Sequence, residues 1–175
     1  AQQNTFSLVP DWAKLPDGWV LGHPQGFPLP AERARIRAEA ERVRADLIAR
    51  GETPPPRRQN LQPGVSGVSV DLNDNVYALH RGAHPILVFD ASGQFLRSGG
   101  DGITGTVPHF IEVDHDGYVW VVDEAAHRVL KFNHELTEVL LQIGITDEPA
   151  YDETHLDLPA DVDIASTGEI LIADG

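Results

Sequence analysis

The chain has 175 residues, with 13 Lys+Arg against 27 Asp+Glu for a formal charge of −14, and it carries 16 Gly, 13 Pro, no Cys and no Met. That length suits one domain or a part of one, and with 41% hydrophobic residues and no apolar run near the ~20 needed to cross a bilayer, the composition is that of a soluble globular protein. The missing cysteines exclude disulfides, thiolate zinc sites, iron–sulfur clusters and thiol catalysis, and the acid excess disfavours general binding to a phosphate backbone.

Residues 1–29 form a lead-in segment. The absence of methionine places the translation start elsewhere. Either a leader was removed before the polar Ala1-Gln2-Gln3 or the sequence begins partway through a gene, and the first alternative predicts an extracytoplasmic setting, periplasmic or secreted. At the other end the apolar run Ile170-Leu171-Ile172-Ala173 leads into Asp174-Gly175, which reads as a strand entering a turn and predicts a truncated chain.

A second segment, 30–63, is compositionally foreign to the rest. Residues 31–60 hold eight Arg and five acids, which leaves −17 on the remainder. Pro30 to Arg50 reads as a helix, with Pro in the first turn, Gly51 as its C-terminal cap, and Ile36, Ala40, Val43 and Leu47 on one face. Such a helix either packs a narrow stripe on its own domain or offers its arginines to a partner or an anionic ligand. Pro54-Pro55-Pro56-Arg57-Arg58 then predicts a stiff extended connector.

From Gly64 to Gly175 the chain repeats itself. Val68-Ser69-Val70-Asp71, Asn75 to Leu79 and His84 to Phe89 recur 43 residues later as Ile111 to Asp114, Tyr118 to Val122 and His127 to Phe132. A third copy begins at Pro159, shifted by 51 from Pro108. Short alternating strands at this period, separated by Asn/Asp/Gly turns, mark β-propeller blades, with a sandwich or solenoid of the same strands as the competing architecture. In the second blade the strands are expected at 111–114, 118–122, 128–132 and 138–143. Tyr77 and Trp120, equivalent strand residues, are expected to pack between blades.

The pattern of Val113-Asp114, Asp116-Gly117, Val119-Trp120, Asp123, His127-Arg128-Val129 and Lys131-Phe132 resembles the NHL repeat. Together with His80-Arg81-Gly82, Val107-Pro108-His109 and Leu158 to Val162, it is similar to the peptidyl-α-hydroxyglycine α-amidating lyases and their bacterial relatives. Leu15-Pro16-Asp17-Gly18-Trp19 gives a shorter echo. The resemblance implies an all-β fold, an incomplete β-propeller with about two and a half of six NHL blades and one inserted α-helix. It also implies zinc and calcium as cofactors, and a reaction that splits a C-terminal α-hydroxyglycine into a peptide amide and glyoxylate.

Residue by residue, the resemblance makes His109 a zinc ligand and Arg81 the catalytic-site cation that binds the substrate carboxylate. It makes Val68 and Ile111 donors of backbone carbonyls to calcium. A planar guanidinium fork suits a carboxylate, and imidazole suits zinc. Phe110 stands where the family has glycine, and its ring is expected to narrow the channel or reshape the metal site. The other two zinc histidines and the catalytic tyrosine would fall beyond Gly175, so this stretch by itself is expected to be inactive.

Against these readings stand structural ones. His80 suits a hydrogen bond at a blade edge, His84 and His127 suit turns, and Arg81 suits a salt bridge locking two blades. His23, His115, His134 and His155 read as surface groups, while Asp71, Asp114, Asp116, Asp123, Asp163 and Asp174 read as turn residues forming Asx-type bonds. No phosphate loop, GxSxG, HExxH or EF-hand spacing is present. The functional alternatives are therefore a zinc-dependent lyase acting on a peptide or a hydroxy-acid amide, and a non-catalytic NHL propeller that binds a protein, peptide or glycan, with no nucleic-acid partner and no membrane span.

Overall fold

The structure is a computed structural model that describes residues 7–19, 21, 30–53, 64–82, 84–101 and 107–175. The long helix α1 (Pro30–Ala49) ends at Gly51, whose φ of 72° belongs to the left-handed region. The Gly51 N–H donates to Ile48 O and the Glu52 N–H to Leu47 O, a Schellman closure that glycine makes without strain. Val43 and Ile48 face solvent. The expected contacts of Ile36 and Ala40, and the connector 54–63, lie outside the described side chains and residues. No helix of the described chain is long and apolar enough to cross a membrane.

Ten strands follow. β1 (Val65–Val70), β2 (Val76–His80), β3 (Ile86–Phe89) and β4 (Phe95–Gly99) form one antiparallel sheet in sequence order. β5 (Pro108–Val113), β6 (Val119–Asp123), β7 (Arg128–Phe132) and β8 (Val139–Ile143) form a second of the same plan, and β9 (Asp161–Ile164) pairs with β10 (Ile170–Ala173). These are the expected propeller blades, two whole and one represented by its first hairpin.

The sheets stack face to face because each strand's alternation supplies a row to either side. Tyr77, Leu79, Ile86 and Val88 of the first blade meet Ile111, Val113, Val119, Val121, Leu130 and Phe132 of the second. From its opposite face the second blade sends Trp120, Val122 and Val129 against Val162, Leu156 and Ile172. Tyr77 and Trp120 thus fill successive interblade cores, as expected. β1 lies against β5 and β5 against β9, so the first strand of each blade is the inner one.

The outer face of the first blade is covered differently. Trp12, Ala13, Leu15 and Trp19 of the N-terminal segment pack on Ala78, Leu87 and Phe89, with Phe95 beside them. The Lys14 N–H donates to Gly93 O, and Trp12 tilts against Phe89 at 5.8 Å. A methyl group on Gly93 (φ 84°) would lie 1.8 Å from the Trp12 carbonyl oxygen, so this residue has to be glycine. The inner part of the same face stays bare, with Val68 62% and Val70 54% exposed.

Each first turn is held by an aspartate. Asp71 Oδ1 accepts the N–H groups of Asn73 and Asn75, and its Oδ2 takes the Tyr77 hydroxyl at 3.4 Å. Asp114 repeats this with Asp116 and Tyr118, and binds the buried Trp120 Nε1 at 2.9 Å. In the third blade both members of the pair are gone, since Ala165 and Leu171 stand at those places. Two other aspartates depart from the turn reading: Asp163 lies within β9 and Asp123 ends β6, fully buried against Arg128.

Candidate active site

Arg81 and His109 are 28 positions apart in sequence, and the fold brings them to the same end of the blades. Arg81 follows β2, and its Nε donates to the carbonyl of Pro108, at the start of β5, at 3.3 Å. This contact joins the first blade to the second, as the structural reading of Arg81 anticipated, although the bond shown runs to a carbonyl rather than a carboxylate. The next residue after Pro108 is His109.

His109 occupies a β-bulge. Pro108 pairs with Asp123 and Phe110 with Val122, which leaves the histidine between them without a partner across the ladder. Bulges re-aim a side chain without shifting the rest of the strand. The equivalent residue in β1, Ser66, is bulged in the same way, between the pairs Val65 with His80 and Gly67 with Leu79. Ser66 Oγ turns back on its own blade to Leu79 O, whereas the imidazole of His109 reaches the next blade.

There Nδ1 of His109 lies 3.0 Å from the carbonyl oxygen of Ala160. A carbonyl only accepts, so Nδ1 carries a proton, and in the neutral tautomer this selects, the lone pair is on Nε2. Nε2 sits 4.0 Å from Glu124 Oε2, and the ring is 43% exposed at the mouth of the blades. Glu124 opens the short 3₁₀ turn Glu124–Ala126, which folds back on β5. Among the described residues no three His, Asp or Glu side chains converge on one metal position.

Phe110 departs from its expected place. Its ring packs with Trp120, Val122, Val129, Leu156 and Val162 in the core between the second and third blades, and so does not narrow the channel. Val68 and Ile111 occupy matching places on inner strands, opposite Ala78 and Val121 respectively. The Val68 side chain is exposed and that of Ile111 fully buried. Between them Gly67 lets the two backbones meet, since a Cβ there would lie 3.2 Å from Ile111 N.

Several other histidines have structural partners, and His23 lies outside the described residues. His80 is buried with Nε2 2.9 Å from His84 O. His84 and His127 both take left-handed turn conformations. His84 stacks on Trp19 at 3.9 Å and meets Asp101 at 2.8 Å, while His127 Nδ1 accepts the Leu158 N–H. His155 stays at the surface, its side chain 20% exposed, and gains a partner there, because Asp152 accepts its N–H and contacts its Nδ1 at 2.8 Å. The bond to that imidazole, helped by Thr154, holds the Asp152 carboxyl far below the usual carboxylate range.

These last residues belong to the connection between β8 and β9, which makes the third repeat's offset 51 rather than 43. The connection ends at Ala160, the carbonyl that orients His109. It also displays Tyr151, 78% exposed, whose phenol is raised by its hydrogen bond to Asp157. Asp157 in turn donates its N–H to Asp174.

No family model matches the chain. The chain is 33% identical over 143 aligned positions to peptidylglycine alpha-amidating monooxygenase of Rattus norvegicus, an alignment that covers 66% of this chain and 14% of that protein. Peptidyl-alpha-hydroxyglycine alpha-amidating lyase 2 of Drosophila melanogaster is 36% identical over 90 residues, 51% of this chain and 22% of that one. A probable lyase of the same description from Caenorhabditis elegans is 25% identical over 134 residues, 63% and 38% of the two chains. The chain is related to the amidating lyases. It spans about a seventh of the rat protein's length.

Among solved structures, virginiamycin B lyase from Staphylococcus aureus superposes with a TM-score of 0.48 at 17% identity, covering 63% of this chain and 34% of that one. A streptogramin B lyase gives 0.45 at 16% identity, with 70% and 43% covered. Three stretches that carried the resemblance, Arg81, Pro108-His109 and Leu158 to Val162, meet through two hydrogen bonds, Arg81 to Pro108 and His109 to Ala160.

Proposed function

We propose that these blades belong to a zinc-dependent propeller that cleaves the C–N bond of a C-terminal α-hydroxyglycine, releasing a peptide amide and glyoxylate. The observation that carries the reading is the Arg81 to Pro108 hydrogen bond, which sets the guanidinium beside the bulge that presents His109. The relatives support the lyase half of the chemistry. The fly and worm relatives are named for the lyase alone.

His109 fits one corner of a metal site. Donating Nδ1–H to a backbone carbonyl fixes the ring and leaves Nε2 basic, the arrangement by which ligating histidines are usually oriented. Zinc, when bound, supplies Lewis acidity that lowers the pKa of the substrate's hydroxyl. Arg81 anchors the carboxylate of the hydroxyglycine through its fork, so that the C–N bond lies over the inner strands. A tyrosinate, which the resemblance places beyond Gly175, removes the hydroxyl proton. The carbon–oxygen double bond of glyoxylate forms as the C–N pair leaves with nitrogen, which is then protonated to the amide. Val68 and Ile111 would give carbonyls to calcium, a role to which the close approach at Gly67 lends support.

The test is metal content and glyoxylate release in the full-length protein, using N-benzoyl-α-hydroxyglycine as the probe. One zinc per propeller that is lost in His109→Ala, with turnover that collapses in Arg81→Ala, is the expected result. A correctly folded, metal-free protein with no turnover would instead assign the propeller to ligand binding without catalysis, and unchanged turnover in Arg81→Ala would remove Arg81 from the site.

A further inference from the structure

The 43-residue offset between the first two blades carries Arg81 onto Glu124, so the two occupy equivalent places at the same end of neighbouring blades, one after β2 and the other after β6. Arg81 reaches forward and bonds Pro108 O. Glu124 turns back over the inner strand of its own blade, because it opens the 3₁₀ turn Glu124–Ala126, which packs on β5 and closes at His127 in the left-handed region. Its Oε2 thereby comes within 4.0 Å of His109 Nε2, the nearest approach of any described carboxylate to that ring.

This separation is too long for a hydrogen bond, so the carboxylate does not hold the imidazole, which is fixed from its other side by Ala160 O. The contact is also the one interaction of the Glu124 side chain among the described residues, although that side chain is only 28% exposed. With the proton on Nδ1, Nε2 offers a lone pair, and the two groups face each other as acceptors with no donor between them. Acceptors so placed are brought together by a cation that both bind. Zinc bonds imidazole at ~2.0–2.1 Å and a carboxylate oxygen at ~2.0–2.2 Å, lengths whose sum of about 4.1 Å spans this gap and which a small swing of the glutamate would bring to a tetrahedral angle. Both groups are open to solvent, so an ion can reach them. The charge pattern agrees, because the substrate proposed above brings a carboxylate that Arg81 attracts and Glu124 repels, which turns Glu124 toward the metal rather than the anion.

We propose that Glu124 is an oxygen ligand of the metal that His109 binds, an inference that rests on the zinc-dependent reading above. One corner of the site is then an imidazole and a carboxylate from a single blade, the first aimed by the bulge in β5 and the second by the turn after β6.

The test uses the full-length protein, stripped of metal and titrated with zinc in competition with a chromogenic chelator. Glu124→Gln, which keeps the size and removes the charge, should weaken zinc binding at least about tenfold, and Glu124→Asp should recover part of the loss. With cobalt(II) in place of zinc, the visible bands of Glu124→Gln should differ from the parent's in position and intensity, since they follow the ligand set. Parent and variants are expected to melt together in the absence of metal. Unchanged zinc affinity in Glu124→Gln, beside metal loss in His109→Ala, would overturn the proposal and leave the lyase reading standing. Weaker zinc with unchanged cobalt bands would put Glu124 behind a bound water, and a raised KM for N-benzoyl-α-hydroxyglycine at full zinc affinity would put it on the substrate; either result overturns the proposal. A folded parent that takes up no zinc would overturn both readings.

Discussion

Replacing Asp123 with Ala tests whether the strand end that carries the candidate site is held by an ion pair. Asp123 is fully buried, and its Oδ2 accepts both Nε and Nη2 of Arg128, at 3.1 and 3.0 Å. Removing one partner of a buried pair costs about 3–5 kcal/mol, because the other charge stays desolvated. The Arg128 side chain is 15% exposed and keeps a bond from Nη1 to Thr146 Oγ1, which favours the lower end. A loss of about 3 kcal/mol lowers the melting temperature by roughly 6–12 °C in a chain of this size. Urea unfolding followed by tryptophan fluorescence measures it, and the apolar pair Asp123→Leu with Arg128→Met should recover most of the loss. A change under about 0.5 kcal/mol in the single variant, or no recovery in the double, would refute the reasoning. Asp123 pairs with Pro108 in the ladder, so exchange of the His109 amide should quicken in the single variant.

Further expectations follow from other contacts. Gly93→Ala should release the N-terminal segment from the first blade, seen as faster proteolysis near Trp12 and a red-shifted emission, with the two complete blades still folded. Burial raises the Glu112 carboxyl above its ordinary value, as do the charges of Asp163, Asp161 and Asp114, against a hydrogen bond from Ser69. A raised acid is fully tolerated only below its unfolded value of 4.5 and costs stability as pH rises through its folded one. Glu112→Gln should therefore melt higher than the parent at pH 7 and level with it near pH 4, and a lower melting point at pH 7 would contradict the burial. Asp114→Ala leaves the Trp120 indole N–H and two turn amides unpaired, and should cost about 2–3 kcal/mol by denaturant titration.

The 43-residue repeat made most of the blade plan legible, because each strand's alternation and each Asp-Gly turn is written locally. Strands expected at 118–122, 128–132 and 138–143 appear at Val119–Asp123, Arg128–Phe132 and Val139–Ile143. The inner strand was the harder case. Expected at 111–114, it begins at Pro108, and the difference is the bulge. An unpaired residue restarts the alternation, so Phe110 faces the neighbouring blade rather than the channel, which no period of two reveals. Glu124 escaped notice for a related reason, since the 3₁₀ turn that swings it toward His109 has no signature beyond the end of a strand. Its position directly after Asp123, the ladder partner of Pro108, was the available hint. His155 was missed because its partner Asp152 lies in the connection that breaks the repeat.

The matched bulges at Ser66 and His109 separate what the stack of blades requires from what chemistry requires. Every other inner-strand residue is committed to one flank or the other, and exchanging its character would disturb a packed layer. The extra residue belongs to neither flank. Its identity can drift from a hydroxyl that folds back on its own blade to an imidazole that reaches across, at no cost to the rows on either side. In a protein built by duplicating one unit, that is where copies are free to diverge, and where a reactive group can be added without redesigning the scaffold beneath it.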